Sequence, residues 1–372
     1  MKFSIRLLIV EDDAAAINEW GKHFERHNAE DDKSFEIIPT FAESFELAKE
    51  AIVATNFDAA IVDLRLKVPG GGGHHNADGN EVVKLLANAE MAAVAIYTGQ
   101  PEEAQLPNGT SKIEVIPKDD GLETPMQWLK GQGEMLFHIQ KVGEIIRSKI
   151  ALTFHGSIWP RWKNWSTHSR FSGANSDLLI SALTRHFVSH LHADLLESTN
   201  EVAHSEEWYF VPAISSSVIS TGDMIRNESG AIEIVVTPRC DIAHSDKSIT
   251  LQLAQCEDIS VEWNEAHANL TVEDKKTVEK AKNKISSFIK HRSKNVIHFL
   301  PPMFNKDGNI EGPWFVRFDC IRSEKKSEEL LASLNSQRFA TLAPEFLPAL
   351  VERLGGFFSR IGSPDYPSHH LE

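Results

Sequence analysis

The chain has 372 residues, 41% hydrophobic and 24% charged, and 38 basic against 53 acidic side chains leave a formal charge of −15. This is the composition of an ordinary globular protein of two or three domains, which excludes global disorder, collagen-like repeats and a disulfide scaffold. The acidic balance argues against nucleic acid as a partner, and no apolar run approaches the ~20 residues of a membrane helix.

The short apolar start runs straight into Glu11, Asp12 and Asp13 with no cleavage-site pattern, and the three cysteines (Cys240, Cys256, Cys320) are too few and too scattered for a disulfide framework. A cytoplasmic protein with free thiols and no membrane partner is therefore expected. Residues 6–10 form a continuous branched apolar run, the pattern of a strand buried on both faces, and 14–20 have helical composition. A second strand is predicted over 35–39, a helix over 42–55, and a third buried strand over 59–62 that ends at Asp63. A Gly-rich loop over 69–79 precedes a helix over 81–88, and strands over 92–97 and 112–116 follow, ending at Thr98 and Lys118. This alternation predicts an α/β domain with a doubly wound, five-stranded parallel sheet.

The polar residues fall at the strand ends. Glu11 and Asp12, Asp63, Thr98 and Lys118 each follow or close a predicted strand, and the carboxyl ends of parallel strands share one edge, where open α/β folds place their sites. Three carboxylates there repel one another unless a cation joins them, and an oxygen-only ligand set suits Mg²⁺. The Lys and the hydroxyl beside them complete an anion site for a phosphoryl group carried on a carboxylate oxygen. The plainer alternative is a set of solvated loop residues; one such position would be unremarkable, whereas five at successive strand ends favour a site.

On these residues the segment resembles the receiver domain of bacterial two-component response regulators, over the first 125–150 residues. Leu8-Ile9-Val10-Glu11-Asp12-Asp13 looks like the acidic-pair motif, Phe57 to Leu64 like the phosphoacceptor strand, and Asp78-Gly79-Asn80 like the start of the third helix. The resemblance implies a flavodoxin-like fold over 1–125 and a phosphorelay in which Asp63 accepts a phosphoryl group from a sensor histidine kinase or a histidine phosphotransfer protein. It also implies Mg²⁺ held by Asp12, Asp63 and the backbone carbonyl of Arg65, with Glu11 acting through water, and Thr98 and Lys118 as phosphoryl-binding switch residues. The chain departs from the family pattern in three places: Asp119 rather than proline follows Lys118, Val115 occupies the aromatic switch position, and the loop after Asp63 is long and carries His74 and His75. That histidine pair reads as a metal pair, a proton shuttle or, by preference, solvent-exposed side chains.

Residues 126–150 have helical spacing and read as a connector, with Gly131 and Gly133 marking a break. A helical segment over 151–205 follows. Trp159, Trp162 and Trp165 lie among Arg161 and Lys163, a pattern for stacking on bases or, preferred here, for packing against a core. A helix from 178 to 197 places His186 and His190 one turn apart, as a metal pair or as exposed or core histidines.

From 206 to 372 an α+β region is predicted, a small β barrel or curled sheet framed by helices. Its strands are read at 207–214, 221–226, 232–237, 248–255, 296–300 and 314–318, with helices at 272–291 and 324–361. Its sharpest motif is Arg239-Cys240-Asp241-Ile242. Cys240 reads as a nucleophile beside an Arg, with His244 or His298 as base by type only, or as a small buried residue at a tight corner where Asp241 bonds to backbone. The Gly222-Asp223 opening is similar to the PemK/MazF-type toxin barrel, and 298–302 with 346–364 look like a C-terminal module of uncharacterised bacterial proteins with a Cys-Asp-Ile/Leu motif. Neither likeness carries a function to residues here. No helix-turn-helix, kinase Gly loop or paired-Asp cyclase motif follows residue 150. Three outputs stay open: a phosphorylation-gated module for an unidentified protein partner, an effector enzyme using Cys240 and Asp241, or a scaffold that no longer turns over phosphate. Beyond self-phosphorylation from a phosphodonor, no enzyme activity is expected.

Overall fold

The computed structural model describes residues 3–67, 74–107, 112–167, 176–197, 203–214, 218–244, 249–290, 296–305 and 307–359. The chain divides into two units, Met1–Thr199 and Asn200–Glu372.

In the first unit β1 (Ser4–Val10), α1 (Ala14–Ala29), β2 (Glu36–Ala42), α2 (Phe45–Ala54) and β3 (Ala59–Val62) alternate, followed by a ribbon of β4 (Leu66–Lys67) with β5 (His74–His75). Then come α3 (Asn76–Ala89), β6 (Ala93–Thr98), β7 (Glu114–Pro117) and α4 (Glu123–Thr153). The sheet is five-stranded and parallel, in the order β2-β1-β3-β6-β7, the flavodoxin-like order. Alternation along β1 divides the core. Leu7 and Ile9 face Trp20, Phe24 and Leu129 of α1 and α4, while Leu8 and Val10 face Ala48, Val82 and Leu86 of α2 and α3. These four strand residues are fully buried, and each contributes roughly 1.5–3 kcal/mol of transfer free energy. Asp13 ends the loop after β1 by accepting the Ala15 amide at the start of α1.

Three expectations change in this unit. Residues 76–79, placed in a loop by composition, belong to α3, which agrees with the resemblance that sets Asp78-Gly79-Asn80 at a helix start. Helix α4 runs unbroken through Gly131 and Gly133, because Gly133 lies against the Phe35 ring, where a Cβ would sit 3.0 Å away. Trp159 and Trp162 do not pack into a core; they are 60% and 47% exposed. Beyond α4 and two short turns, α5 (Trp162–Thr167) and α6 (Ser176–Glu197) complete the unit.

In the second unit seven strands form one antiparallel sheet, in the order β12-β15-β11-β10-β9-β16-β8. They are β8 (Tyr209–Phe210), β9 (Asp223–Arg226), β10 (Ile232–Val235), β11 (Thr250–Asp258), β12 (Ile297–Leu300), β15 (Trp314–Lys325) and β16 (Arg338–Leu342). A small ribbon joins β13 (Met303–Phe304) to β14 (Ile310–Glu311). The sheet curls without closing: a bulge at Ala254/Gln255 bends β11 against β15, and the Tyr209 hydroxyl on one edge strand donates to Pro301 O beyond the other, at 2.7 Å. Around it lie α7 (Arg239–Ala243), α8 (Ser260–Ala268), α9 (Lys275–Ile289), α10 (Glu328–Gln337) and α11 (Leu347–Phe358).

The expected helical region 324–361 does not form as one element. It is two helices separated by β16, whose partners β9 and β8 lie more than 100 residues upstream. The expected strand over 207–214 shrinks to β8, and α8 forms where the sequence pattern predicts no helix.

Candidate functional site

Backbone hydrogen bonds place the strand ends side by side. Glu11 N donates to Ala42 O at 3.1 Å and Asp63 N donates to Val10 O at 2.9 Å. The register pairs Val62 with Ile96 and Thr98 with Pro117, so Asp63, Thr98 and Lys118 follow one another along the same edge.

Lys118 Nζ lies between two carboxylates, 2.7 Å from Glu11 Oε2 and 2.9 Å from Asp63 Oδ2. The remaining oxygens are also engaged: Glu11 Oε1 accepts the Asp13 amide at 3.1 Å, and Asp63 Oδ1 accepts the Arg65 amide at 3.3 Å. Glu11, Asp63 and Thr98 are buried and Asp12 is half-buried. Thr98 Oγ1 accepts the Gln100 amide at 3.2 Å. Burial raises the Glu11 carboxyl above its ordinary value, with the Lys118 hydrogen bond and charge pulling it back. Burial alone would lower the Lys118 ammonium, but hydrogen bonds and charge from Asp63 and Glu11 outweigh it and raise the group, so the ammonium stays charged.

One carboxylate oxygen from each of Glu11, Asp12 and Asp63 lies within 4.8 Å of the other two. With all three ionised, the single Lys118 charge leaves two negative charges, which one divalent cation balances. The donors are hard oxygens with no His or Cys, which fits Mg²⁺ and not a soft metal.

Two residues that sequence reasoning did not assign to the site support it. A Cβ on Gly79 would fall 2.4 Å from Asp63 O and 2.4 Å from Leu64 Cα, so only glycine lets α3 approach the Asp63 loop this closely. Asn80, the next residue, donates to Glu103 O at 3.1 Å and accepts the Gln105 amide at 2.8 Å, tying α3 to the loop that follows Thr98. Tyr97 also borders the site. Its hydroxyl donates to Lys118 O at 3.3 Å and its ring centroid lies 5.9 Å from Lys118 Nζ, although Val115 holds the position where the resemblance expects an aromatic. The alternating pattern of β6 could have located Tyr97; nothing local marks Gly79 as a contact residue.

The other candidates lie elsewhere. The rings of His74 and His75 are outside the described residues. His186 and His190 meet edge to face at 4.4 Å between centroids, and His186 Nε2 is engaged by Ser157 Oγ at 2.7 Å. Cys240 is exposed in the first turn of α7, so the buried-corner reading does not hold; its neighbour Asp241 is half-buried there. His244 caps the same short helix and His298 is buried in β12. The buried thiol is Cys256, whose ionisation burial pushes far up.

No known family pattern and no curated protein matches the chain. Among solved structures it is similar to a response regulator receiver domain (CheY-like) from Methylobacillus flagellatus, at 21% identity and TM-score 0.25, over 33% of this chain and 96% of that one. It is also similar to the receiver domain of the PhyR response regulator from Erythrobacter litoralis, at 19% identity and TM-score 0.23, over 31% of this chain and 78% of that one. Scores at this level carry no weight for the site, whose chemistry rests on its own geometry. No described helix is long and apolar enough to cross a membrane.

Proposed function

We propose that the protein is a response regulator whose N-terminal unit accepts a phosphoryl group on Asp63 and thereby switches the C-terminal unit. The observation that supports this reading is Lys118 Nζ held between the Glu11 and Asp63 carboxylates, with Asp12 beside them. An Asp63 carboxylate oxygen attacks phosphorus; the new O–P bond forms as the P–N bond of a phosphohistidine breaks, and the electron pair leaves with the imidazole, which takes up a proton. The donor is thus a sensor histidine kinase or histidine phosphotransfer protein. Lys118 spreads the charge developing on the transferring group, and Thr98 supplies a hydroxyl to the attached phosphoryl oxygens. Asp12, Asp63 and the Arg65 carbonyl would hold Mg²⁺, with Glu11 acting through water, and the ion would neutralise phosphoryl charge. Once phosphorylated, Asp63 draws Thr98 toward the added oxygens while Lys118, already at its carboxylate, follows them, and the ends of β6 and β7 shift.

The test is incubation with acetyl phosphate and Mg²⁺, followed by intact mass. Wild type gains one phosphoryl group, Asp63→Asn gains none, and chelation of the metal abolishes the gain. An unmodified wild type refutes the reading. Coupling is tested by amide exchange across 200–372 with and without beryllofluoride, and unchanged exchange there refutes the switch while leaving phosphorylation standing.

A further inference from the structure

Helix α4 outlasts the sheet it packs on. At 1.5 Å per residue its 31 residues extend about 46 Å, yet the last of its residues in the sheet core is Leu136. Beyond that point α6 folds back along it. Lys149 Nζ lies 3.5 Å from Asp194, Ser157 Oγ lies 2.7 Å from His186 Nε2, and Trp165 meets the His186 ring at 5.2 Å between centroids. Rising numbers on one helix meet falling numbers on the other, so the two form an antiparallel hairpin.

This hairpin does not bury its own apolar surface. Gly143, Ile146, Lys149, Thr153 and Ser157 recur at helical spacing on the shielded side of α4 and its continuation, but Ile145 and Leu152 on the adjoining flank are 51% and 62% exposed, and Val142, in line with that stripe two turns before Lys149, is 46% exposed. No described side chain of α6 is buried, and Leu178, Ile180 and Val188 are 49%, 60% and 59% exposed. A helix that is apolar on all sides needs cover on all sides, and one neighbour supplies only half of it. Eleven large apolar side chains between 142 and 195 are exposed among the described residues. At about 150–250 Å² for a whole aromatic side chain and less for an aliphatic one, their partial exposure leaves on the order of 1,000 Å² of apolar surface in water over the faces of the hairpin, where a standard stable interface takes roughly 800 Å² per partner.

Charge selects the occupant. From 145 to 176 the sequence carries Arg147, Lys149, Arg161, Lys163 and Arg170 and no acidic residue, whereas α6 carries Asp177, Asp194 and Glu197 against a single Arg185. The antiparallel register already sets Asp194 beside Lys149. A second hairpin laid against the free flank in the same register brings its acidic α6 level with Arg147 on the exposed side of α4, where Lys141 and Glu144 already pair with each other. The surface is therefore complementary to itself under a two-fold axis, as an isologous interface requires.

We propose that two copies of this chain pair through the hairpins of α4 to α6, forming an antiparallel four-helix bundle. The proposal does not depend on phosphorylation of Asp63. It is tested on the full chain by sedimentation equilibrium and light scattering at micromolar concentrations, together with amide exchange in α6 as a function of protein concentration. Wild type is expected at twice the chain mass, with α6 exchange slowing as concentration rises. The Leu152→Glu/Ile180→Glu double variant is expected at the single-chain mass with unchanged exchange in β1 and β3. Val53→Glu, a change at an exposed position on α2, is expected to remain dimeric. A monomeric wild type overturns the proposal, whether or not it binds vesicles of anionic phospholipid. A folded double variant that stays dimeric, or a monomeric Val53→Glu, overturns the assignment to the hairpin.

Discussion

Gly79→Ala sets two known effects against each other at one position. Gly79 lies inside α3, where alanine is ordinarily worth about 1 kcal/mol more than glycine. The new Cβ, however, would meet Asp63 O at 2.4 Å, Leu64 Cα at 2.4 Å and Leu64 O at 2.8 Å. All three are backbone atoms of a buried segment, so no side chain can rotate away. Overpacking of this kind costs typically ~1–3 kcal/mol, and backbone obstruction puts this case at the upper end. Clash therefore wins, with a net loss of about 2 kcal/mol after the helix gain is subtracted. For a unit of this size that is ~4–8 °C in Tm.

Gly131→Ala supplies the control. It too lies in a helix interior, but nothing stands within 4 Å of its Cβ position, so it is expected to gain about 1 kcal/mol. Because the chain has two units, amide exchange in peptides from β1 and β3 is the readout, since these core strands open only with the N-terminal unit. A Gly79→Ala protein as stable as wild type would show that α3 and the Asp63 loop separate freely, and the close-approach account would be wrong.

Lys118→Met leaves two buried carboxylates without their cation and is expected to destabilise the N-terminal unit by about 3 kcal/mol; adding Asp63→Asn recovers part of that loss, and a double-mutant cycle with no coupling would contradict the geometry. Asn80→Ala removes two hydrogen bonds to the loop after Thr98 and is expected to cost about 2 kcal/mol and to speed amide exchange at Gln105; unchanged exchange there would rule out the tie. The Thr277 hydroxyl, with the Thr277 and Lys276 amides, holds the Asp274 carboxyl below the usual carboxylate range. Its folded value is depressed, so its contribution to α9 is complete above the unfolded value and is lost as pH falls through the folded one; a carboxyl titrating at the ordinary value by NMR would remove the cap. A maleimide is expected to label Cys240 and Cys320 in the native protein and to reach Cys256 only on unfolding, which thiol counting by mass checks.

The sequence makes the parallel sheet legible because each of its central strands is a continuous apolar run that stops at a polar residue, so period, length and end coincide. Glu11, Asp63 and Lys118 sit at such stops, and their convergence follows once the strands are parallel. In the second unit the same logic fails at β16. Residues 338–342 are short, sit between two amphipathic helices, and are strand only because β9 and β8 lie alongside. The pairing is non-local, and no window of sequence contains it. Gly79 fails for a related reason: Asp, Gly and Asn in a row are turn residues by local preference, and the contact with Leu64 that makes glycine necessary lies outside the helix.

Apart from Lys118, which the sequence places at a strand stop, the residues that join the site into one body are not marked as joining residues by any local pattern. Lys118 binds the ends of β1 and β3 to the end of β7, and Tyr97 holds the backbone of Lys118 from β6. Gly79 sets α3 directly on the Asp63 loop, and Asn80, one residue further, fixes the loop after Thr98 to the same helix end. Any charge added at Asp63 must move against Lys118, against α3 or against both. Either route ends at β6 and β7, on the side of the sheet where the crossover from 99 to 113 carries only a single 3₁₀ turn among its described residues. The described part of that crossover yields more readily than a packed helix, so a charge added at Asp63 is expected to displace that edge before β1 and β2.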